Sequence, residues 1–152
     1  MKDDIILISG FMGAGKTTFG RKLASDKGYA FIDLDSYIEE HESKSIKDIF
    51  AEKGEAHFRE LETITFAEII KNTTEKTVIA LGGGFPIKPE NRELMKAHTT
   101  IFLNTPLEKI IERLNKSEIA KRPMLNDDIE RLKELYRKRL PIYSKTADII
   151  SS

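Results

Sequence analysis

The residue spacing with the clearest chemical meaning is G-F-M-G-A-G-K-T at residues 10–17. It fits the pattern G-x-x-x-x-G-K-[S/T] at every fixed position. Glycines let successive backbone N–H groups converge on one anion, and the unpaired N–H groups at a helix start add positive potential. Lys16 supplies a full charge for the β- and γ-phosphates, and the Thr17 hydroxyl is placed to bind Mg²⁺. We therefore interpret residues 10–17 as a phosphate-binding loop. The alternative, a plain turn with a surface lysine, leaves all these coincidences unexplained.

Two carboxylates, Asp33 and Asp35, come at the end of the second apolar run. If the strand continues through them, its period of two sends both side chains to one face. The carboxyl ends of strands in an open parallel sheet face the ligand crevice. There one acid could order Mg²⁺ through water, and the other could accept a hydrogen bond or proton from an attacking hydroxyl. The alternative for Asp35 is an acid that caps the following helix.

Two further segments could contact an acceptor molecule. Arg59 lies in a helical pattern and could hold a carboxylate in a bidentate fork, although an isolated helical arginine is more often a solvated charge. Gly82–Gly84 directly follow the third apolar run. Three glycines there would let a substrate or phosphate approach the main chain closely, and the alternative is a flexible turn.

The basic segment at residues 116–126 has no settled helical or strand period and contains Pro123. We predict a mobile loop. Lys121 and Arg122 in this loop could close over a transferring phosphoryl group, where they would expel water and offset developing charge. The alternative is an exposed basic loop.

The elements that must position these residues alternate between short apolar runs and longer amphipathic ones, which is typical of a parallel sheet flanked by helices. We predict helices between the strands, and we expect Pro141 to kink or end the last helix. The predicted strands are residues 5–9, 29–34, 77–81, 99–103 and 147–150, and the clearest predicted helices are 16–27, 44–53, 55–72, 105–115 and 127–143.

Length and composition exclude several classes of protein. The chain has 152 residues, which predicts a single domain, 1–152, with one core. Lys+Arg and Asp+Glu each number 25, so net charge gives no support to a nucleic-acid or membrane partner. Cysteine is absent, which excludes disulfides and zinc-thiolate sites. The three histidines have no metal-ligand spacing. We expect a monomeric protein of the cytoplasm, without a signal peptide or membrane span.

Taken in order, the motifs G-F-M-G-A-G-K-T, D-L-D, F-R-E-L-E, G-G-G, R-P-M-L and R-L-P-I-Y closely resemble the shikimate kinase family of small-molecule kinases. The resemblance runs from Ile5 to about Asp148. It implies an α/β fold of three layers, with a five-stranded parallel sheet in the order 2-3-1-4-5 and a mobile lid. It also implies transfer of the ATP γ-phosphoryl group to the 3-hydroxyl of shikimate, on the route to chorismate and aromatic amino acids.

The resemblance assigns roles to individual residues. Lys16, Asp35 and Arg122 would be catalytic, with Asp35 holding the reacting hydroxyl and Arg122 acting from a lid at about 116–126. The metal would be Mg²⁺, on Thr17 and, through water, Asp33. Acceptor binding would occupy a region of about 34–62 together with more distant residues. The implied nucleotide contacts are Gly13, Ala14, Gly15, Lys16, Thr17, Thr18 and Arg122, and the implied shikimate contacts are Asp35, Arg59, Gly82, Gly83, Gly84 and Arg139.

The sequence departs from the family pattern in two places. Phe85-Pro86 follow the glycines where many relatives have small aliphatic residues, which affects packing near the acceptor. The printed sequence stops at Ser152, whereas relatives usually continue through a loop that touches adenine and a final helix. We therefore expect either a loosely held base or further residues beyond those printed.

Two alternative functions stay open at this point. A related kinase acting on gluconate or a nucleoside monophosphate would use the same phosphate-binding loop with a different acceptor pocket. An inactive nucleotide-binding module would need no hydroxyl-orienting acid. Two arginines that could hold a carboxylate favour a small polyhydroxy acid, because an uncharged sugar would leave them unpaired.

Overall fold

The computed structural model describes residues 4–117 and 126–152. Its elements alternate as the sequence pattern predicts, and a short 3₁₀ helix, Phe85–Ile87, follows the third strand. The strands are β1 (Ile5–Ser9), β2 (Ala30–Asp33), β3 (Thr77–Ala80), β4 (Thr99–Leu103) and β5 (Ile149–Ser151). The helices are α1 (Lys16–Lys27), α2 (Leu34–Glu42), α3 (Ile46–Lys53), α4 (Glu55–Asn72), α5 (Pro89–Met95), α6 (Leu107–Ser117) and α7 (Asn126–Thr146).

The five strands form one parallel sheet in the order β2-β3-β1-β4-β5, which confirms the predicted order. β1 lies between β3 and β4, with Ile8 in register with Ala80 on one side and Ile101 on the other. Every residue of β1 is buried, as expected for a central strand covered by helices on both faces. The carboxyl ends of β1, β2 and β3 therefore meet at one edge of the sheet.

Alternation along β1 divides the core between the two faces of the sheet. Ile5 and Leu7 pack into one apolar cluster, with α2, α3 and α4. Ile6 and Ile8 pack into another, with Ala24 of α1. A third cluster joins Phe11 and residues of β4, α6 and α7. This gives the predicted three layers, with helices on both sides of the sheet.

Several predicted boundaries are confirmed. α1 spans residues 16–27 and ends at Gly28 in a left-handed conformation. α3 ends at Lys53 as predicted but begins at Ile46 rather than residue 44, with Ser45 as its cap: the Ser45 side chain accepts a hydrogen bond from the Asp48 backbone N–H at 3.1 Å. Gly54 separates α3 from α4, as its position between two helical patterns predicted.

Other boundaries were predicted wrongly. Helix α6 begins at Leu107 rather than Thr105, and its first backbone hydrogen bonds are accepted by the Pro106 carbonyl oxygen. The Thr105 hydroxyl instead donates to the Ala14 carbonyl oxygen at 2.7 Å. Pro141 does not end α7, which continues to Thr146. The predicted loop at 116–126 is helical at both ends, since α6 reaches residue 117 and α7 begins at residue 126. Residues 118–125 lie outside the described residues.

No helix in the described ranges combines the length and the apolar character that a membrane crossing requires.

Burial in the core predicts that substitution of two isoleucines by alanine changes the free energy of unfolding by very different amounts. Ile79 of β3 is fully buried, whereas Ile64 of α4 is 53% exposed. We expect Ile79→Ala to lower the free energy of unfolding by about 2–5 kcal/mol, through lost burial and the cavity left behind. Ile64→Ala should change it by less than about 1 kcal/mol. Urea unfolding of both variants tests this, and equal losses would contradict the assignment of β3 to the core.

Candidate active site

The phosphate-binding loop connects β1 to α1, as its sequence context predicted. Gly10 cannot be replaced without movement, because a Cβ there would lie 2.9 Å from the Leu103 carbonyl oxygen. Gly15 precedes α1 with φ +94°, a conformation that L side chains rarely adopt. The first turn of α1 therefore opens directly onto the loop, where its unpaired N–H groups can face an anion.

Two residues that the sequence interpretation did not single out support this loop from the β4–α6 side. Thr105 donates from its hydroxyl to the Ala14 carbonyl oxygen, and Arg113 donates to the Gly13 carbonyl oxygen at 3.1 Å. Both contacts join segments about 90–100 residues apart. No local sequence pattern signals them. Arg113 also lines a cleft of about 760 Å³ beside the loop, together with Thr18, Lys22 and Lys109.

Lys16 folds back over the loop. Its ammonium donates to the carbonyl oxygens of Gly10 and Phe11 at 2.7 and 3.1 Å. Burial lowers its pKa to about 8, against the opposing attraction of the Asp35 and Asp33 carboxylates. The ammonium therefore stays mostly charged at neutral pH and lies among groups of opposite charge.

Thr17 and Asp33 come together between α1 and β2. The Thr17 hydroxyl donates to Asp33 Oδ2 at 2.5 Å. The other carboxylate oxygen, Oδ1, accepts from the Ser36 backbone N–H at 3.0 Å and caps α2. A hydroxyl and a carboxylate beside a phosphate-binding loop are the oxygen donors that Mg²⁺ prefers, with water completing its shell. These two residues therefore fit the predicted metal position. Among the described residues no group of three or more His, Cys, Asp or Glu could hold a metal ion on its own.

Asp35 occupies a different element from the one predicted. β2 ends at Asp33, so strand alternation does not relate the two acids; Asp35 lies in the first turn of α2. Asp33, rather than Asp35, caps this helix through its side chain. Burial raises the pKa of Asp35, as does the neighbouring Asp33, while Lys16 and Arg59 oppose the rise. The early start of α2 still brings the Asp35 carboxylate to the crevice.

Gly82–Gly84, which we call the glycine segment, lie where side chains would not fit, as Gly82 shows. A Cβ on Gly82 would lie 2.8 Å from Asp35 Oδ1 and 2.9 Å from Glu62 Oε2. On Gly84, a Cβ would lie 2.5 Å from both terminal nitrogens of Arg59. Charged side chains from α2 and α4 therefore pack directly against this backbone.

Arg59 is held by two acids of its own helix. It donates to Glu62 Oε1 at 2.7 Å and to Glu55 Oε2 at 3.3 Å. Glu62 is completely buried, and its second oxygen, Oε2, has no hydrogen-bond partner among the described residues. Burial raises the pKa of Glu62 to about 7, although Arg59 favours the charged form.

Glu62 lies within the F-R-E-L-E motif, but the sequence interpretation gave it no role. Its one available signal was its spacing of three residues from Arg59, which places both side chains on one helix face.

Arg139 approaches the site from α7, and its Nη1 lies 3.6 Å from the position of a Cβ on Gly83. The structure thus brings together the predicted residues of the phosphate-binding loop, both aspartates, the glycine segment and the two arginines 59 and 139. Thr18 lies at the edge of the group, in the cleft beside the loop. Lys121 and Arg122 lie outside the described residues.

The buried Glu62 predicts a pH-dependent stability. The folded protein binds this proton more tightly than the unfolded chain, whose Glu62 has the ordinary pKa of 4.5. The stabilisation by neutral Glu62 is complete below pH 4.5 and is lost as pH rises through about 7. Between pH 5 and 8 this loss is roughly 2–3 kcal/mol. We expect Glu62→Gln to flatten the pH profile of the unfolding free energy by that amount.

Urea unfolding at several pH values measures the profile. Glu60→Gln is the matched control, since Glu60 is 68% exposed on the same helix. A profile for Glu62→Gln that follows the wild type would show that Glu62 does not titrate in this range.

Nearly the whole chain is similar to known proteins. The family model for shikimate kinase matches residues 12–152. The shikimate kinase of Dictyoglomus turgidum is 43% identical over 143 residues, which cover 93% of this chain and 83% of that protein. The shikimate kinase of Clostridium botulinum strain Loch Maree is 45% identical over 150 residues, covering 97% and 86%.

Solved structures agree with these relatives. Shikimate kinase from Acinetobacter baumannii in complex with shikimate superposes with a TM-score of 0.87 and 33% identity, covering 97% of this chain and 82% of that one. Shikimate kinase from Aquifex aeolicus gives a TM-score of 0.84 and 37% identity, covering 97% and 86%. The match of nearly the whole chain, in sequence and in fold, shows that this protein belongs to the shikimate kinase family.

Proposed function

We propose that this protein is a shikimate kinase, which transfers the γ-phosphoryl group of ATP to the 3-hydroxyl of shikimate. The observation that carries the proposal is the contact between the phosphate-binding loop and the acceptor side. A Cβ on Gly83 would lie 3.3 Å from the Met12 backbone nitrogen and 3.6 Å from Arg139 Nη1. A phosphate donor and a carboxylate-binding group thus share one wall of the crevice.

The phosphate-binding loop and Lys16 would bind the phosphates of ATP. The ammonium now rests on two backbone carbonyl oxygens. We expect it to exchange these for phosphate oxygens, because an anion interacts more strongly with a buried cation than a neutral carbonyl does. The cleft beside the loop has room for the nucleoside part of ATP, and Thr18 and Arg113 line it. From the family resemblance alone, we assign Arg122 to the phosphates as well.

Thr17 and Asp33 would hold Mg²⁺, Thr17 through its hydroxyl and Asp33 through water. The ion would neutralise charge on the β- and γ-phosphate oxygens when bound. The Thr17 hydroxyl donates to Asp33 Oδ2 at 2.5 Å, which keeps the two oxygen donors close together. The remaining cap bond from Ser36 to Asp33 fixes the direction of the carboxylate.

Asp35 is suited to orient the acceptor hydroxyl and to accept its proton. Burial raises the pKa of this carboxyl, and a raised pKa makes a carboxylate a stronger proton acceptor. The nearby charges of Lys16 and Arg59 still favour its ionised form. Holding the hydroxyl in line with the γ-phosphorus supplies most of what a phosphoryl transfer requires.

Arg59 and Arg139 would bind the acceptor carboxylate, with the glycine segment supplying backbone groups for the ring hydroxyls. Arg59 is only about a quarter exposed and is aligned by Glu55 and Glu62, so its fork is oriented before the acceptor arrives. Such preorganisation reduces the entropy lost on binding. The relative from Acinetobacter baumannii was solved with shikimate bound, which supports this acceptor.

The alternative acceptors fit this pocket less well. Gluconate also carries a carboxylate, but the relatives with 43–45% identity are shikimate kinases. A nucleoside monophosphate would place a dianion near Asp35 and Glu62, two acids that approach the same backbone at Gly82. An inactive module would have no use for a buried acid facing the lysine of the phosphate-binding loop.

A coupled ADP-release assay with Mg-ATP tests the proposed function. The acceptor panel contains shikimate, gluconate and nucleoside monophosphates. We expect turnover with shikimate to exceed that with any other acceptor by at least about 10³, because leaving buried charged groups unpaired is costly. Turnover with gluconate alone would overturn the acceptor assignment, and no turnover with any acceptor would overturn kinase activity.

The role of Asp35 predicts that its replacement lowers turnover without weakening ATP binding. We expect Asp35→Asn to lower kcat for shikimate phosphorylation by about 10²–10⁴, the range for removal of a general base or hydroxyl-positioning group. ATP affinity, measured by calorimetry, should change little. Asp26→Asn is the control, since Asp26 is 64% exposed at the far end of α1. Wild-type turnover in Asp35→Asn would remove Asp35 from the mechanism.

The role of Arg59 predicts a change in acceptor binding. Arg59→Ala removes a charged hydrogen-bond donor, so we expect KM for shikimate to rise by about tenfold to a hundredfold, with KM for ATP within about twofold. Arg137→Ala is the control, because Arg137 is 73% exposed on α7. Steady-state kinetics with each substrate varied in turn measure both constants. An equal rise in the two would contradict the assignment.

A further inference from the structure

Tyr143 is a buried polar side chain that ends the R-L-P-I-Y motif, and the proposed mechanism gives it no role. It lies in the last turns of α7 and is fully buried. Its ring packs against Phe102 of β4 at a centroid distance of 5.2 Å. Its hydroxyl donates to the Gly83 carbonyl oxygen at 2.6 Å. Tyr143 therefore joins the last helix to the middle of the glycine segment, 60 residues away in sequence.

The same hydroxyl also faces Arg139, one helical turn earlier on α7. Burial raises the pKa of Tyr143 to about 12, although a hydrogen bond from Arg139 acts in the opposite direction. The phenol is therefore neutral at physiological pH. It can donate its single hydrogen to Gly83 while its oxygen accepts from the guanidinium.

The other side of Gly83 leaves this segment little freedom. A Cβ there would lie 3.3 Å from the Met12 backbone nitrogen and 3.6 Å from the Gly10 carbonyl oxygen. The segment is thus held between the phosphate-binding loop and the Tyr143 hydroxyl. A shift of Gly83 would move the acceptor-binding backbone relative to the γ-phosphate position.

We propose that Tyr143 is a positioning residue for the acceptor, whose hydroxyl fixes the Gly83 carbonyl and the Arg139 guanidinium in one geometry. This inference rests on the proposed function, because it assigns Gly83 and Arg139 to acceptor binding. Tyr143 does not touch the acceptor. It acts through two groups that do.

The loss of one hydroxyl isolates this role. Tyr143→Phe keeps the ring and its contact with Phe102, but it removes the hydroxyl that donates to the Gly83 carbonyl and interacts with Arg139. Both groups can then adopt other positions before shikimate binds. A hydrogen bond of this kind, to a neutral and a charged partner, corresponds to a change of about five- to thirtyfold in affinity.

The phosphate-binding loop should be less affected, because its own contacts do not involve Tyr143. The Ala14 backbone N–H donates to the Phe11 carbonyl oxygen at 3.1 Å, and Thr105 holds the Ala14 carbonyl oxygen. Tyr143→Phe is therefore expected to raise KM for shikimate and to leave KM for ATP nearly unchanged.

Steady-state kinetics of the full chain test the proposal. For Tyr143→Phe we expect KM for shikimate to rise by about five- to thirtyfold and KM for ATP to stay within about twofold. Tyr136→Phe is the matched control on the same helix: its ring packs on Phe11, and its hydroxyl makes no hydrogen bond to any described residue. It should keep both constants within about twofold of the wild type.

A double-mutant cycle with Arg139→Lys tests whether Tyr143 acts through Arg139 or only stabilises this part of the fold. If Tyr143 acts through Arg139, the two substitutions together should raise KM for shikimate by clearly less than the product of their separate effects. Independent, multiplying effects would overturn the link to Arg139. An unchanged KM for shikimate in Tyr143→Phe, or an equal rise for ATP, would overturn the proposal itself.

A second measurement uses the wild-type chain, so that the test does not depend on whether Tyr143→Phe folds. With tyrosine labelled at Cζ by ¹³C, the four tyrosines give four signals, assigned through Tyr→Phe variants at 29, 37 and 136. We expect shikimate to shift the Tyr143 signal and ATP alone to leave it in place. An unmoved signal at saturating shikimate would overturn the proposal. A wild type without turnover on shikimate would instead count against the proposed function.

Discussion

The parallel pairing of β3 between β2 and β1 is the constraint on which the site depends. It brings the ends of three strands to one edge of the sheet, so that the phosphate-binding loop, Asp33 and the glycine segment meet there. None of these groups is near another in sequence. The apolar side chains that alternate along β1 and bury both faces of the sheet therefore also determine where the chemistry lies.

Charge in the crevice is balanced by pairs that remain incomplete. Lys16 rests on backbone carbonyl oxygens and Arg59 is held by acids of its own helix. Glu62 keeps one buried oxygen that no described residue pairs with. Burial shifts the pKa of Lys16 down and that of Glu62 up, because it disfavours the charged form of each group. A site for two anionic substrates gains from this arrangement, because the substrates complete interactions that the protein alone leaves open.

The glycine segment shows how several elements define one short stretch of backbone. Asp35 of α2 and Glu62 of α4 pack against Gly82, Tyr143 of α7 holds the Gly83 carbonyl, and Asn91 of α5 donates to the Phe85 carbonyl oxygen at 2.9 Å. The absence of side chains on the glycines allows these approaches. Side chains from α2, α4 and α7 thus position backbone that is itself free of side chains, which suits a surface that must fit a small acceptor closely.

Local sequence was sufficient for the features that depend on neighbouring residues. The phosphate-binding loop, the strand–helix alternation and the end of α1 at Gly28 follow from glycine placement, apolar period and helix termination, and motif order was enough to identify the family. The sheet order came from that resemblance, since periodicity does not specify which strands pair.

Tertiary structure alone decided the contacts between distant segments. Thr105 was expected to start a helix, but its hydroxyl bonds instead to Ala14, 91 residues earlier. Asp35 reaches the crevice from a helix rather than from a strand, because β2 ends at Asp33 and α2 begins at Leu34. The role of Glu62 also depends on its packing against Gly82, and that of Tyr143 on its contacts with Gly83 and Phe102, and no spacing rule connects these partners. Such contacts form only when the whole core packs, because each joins side chains that the chain alone does not bring together.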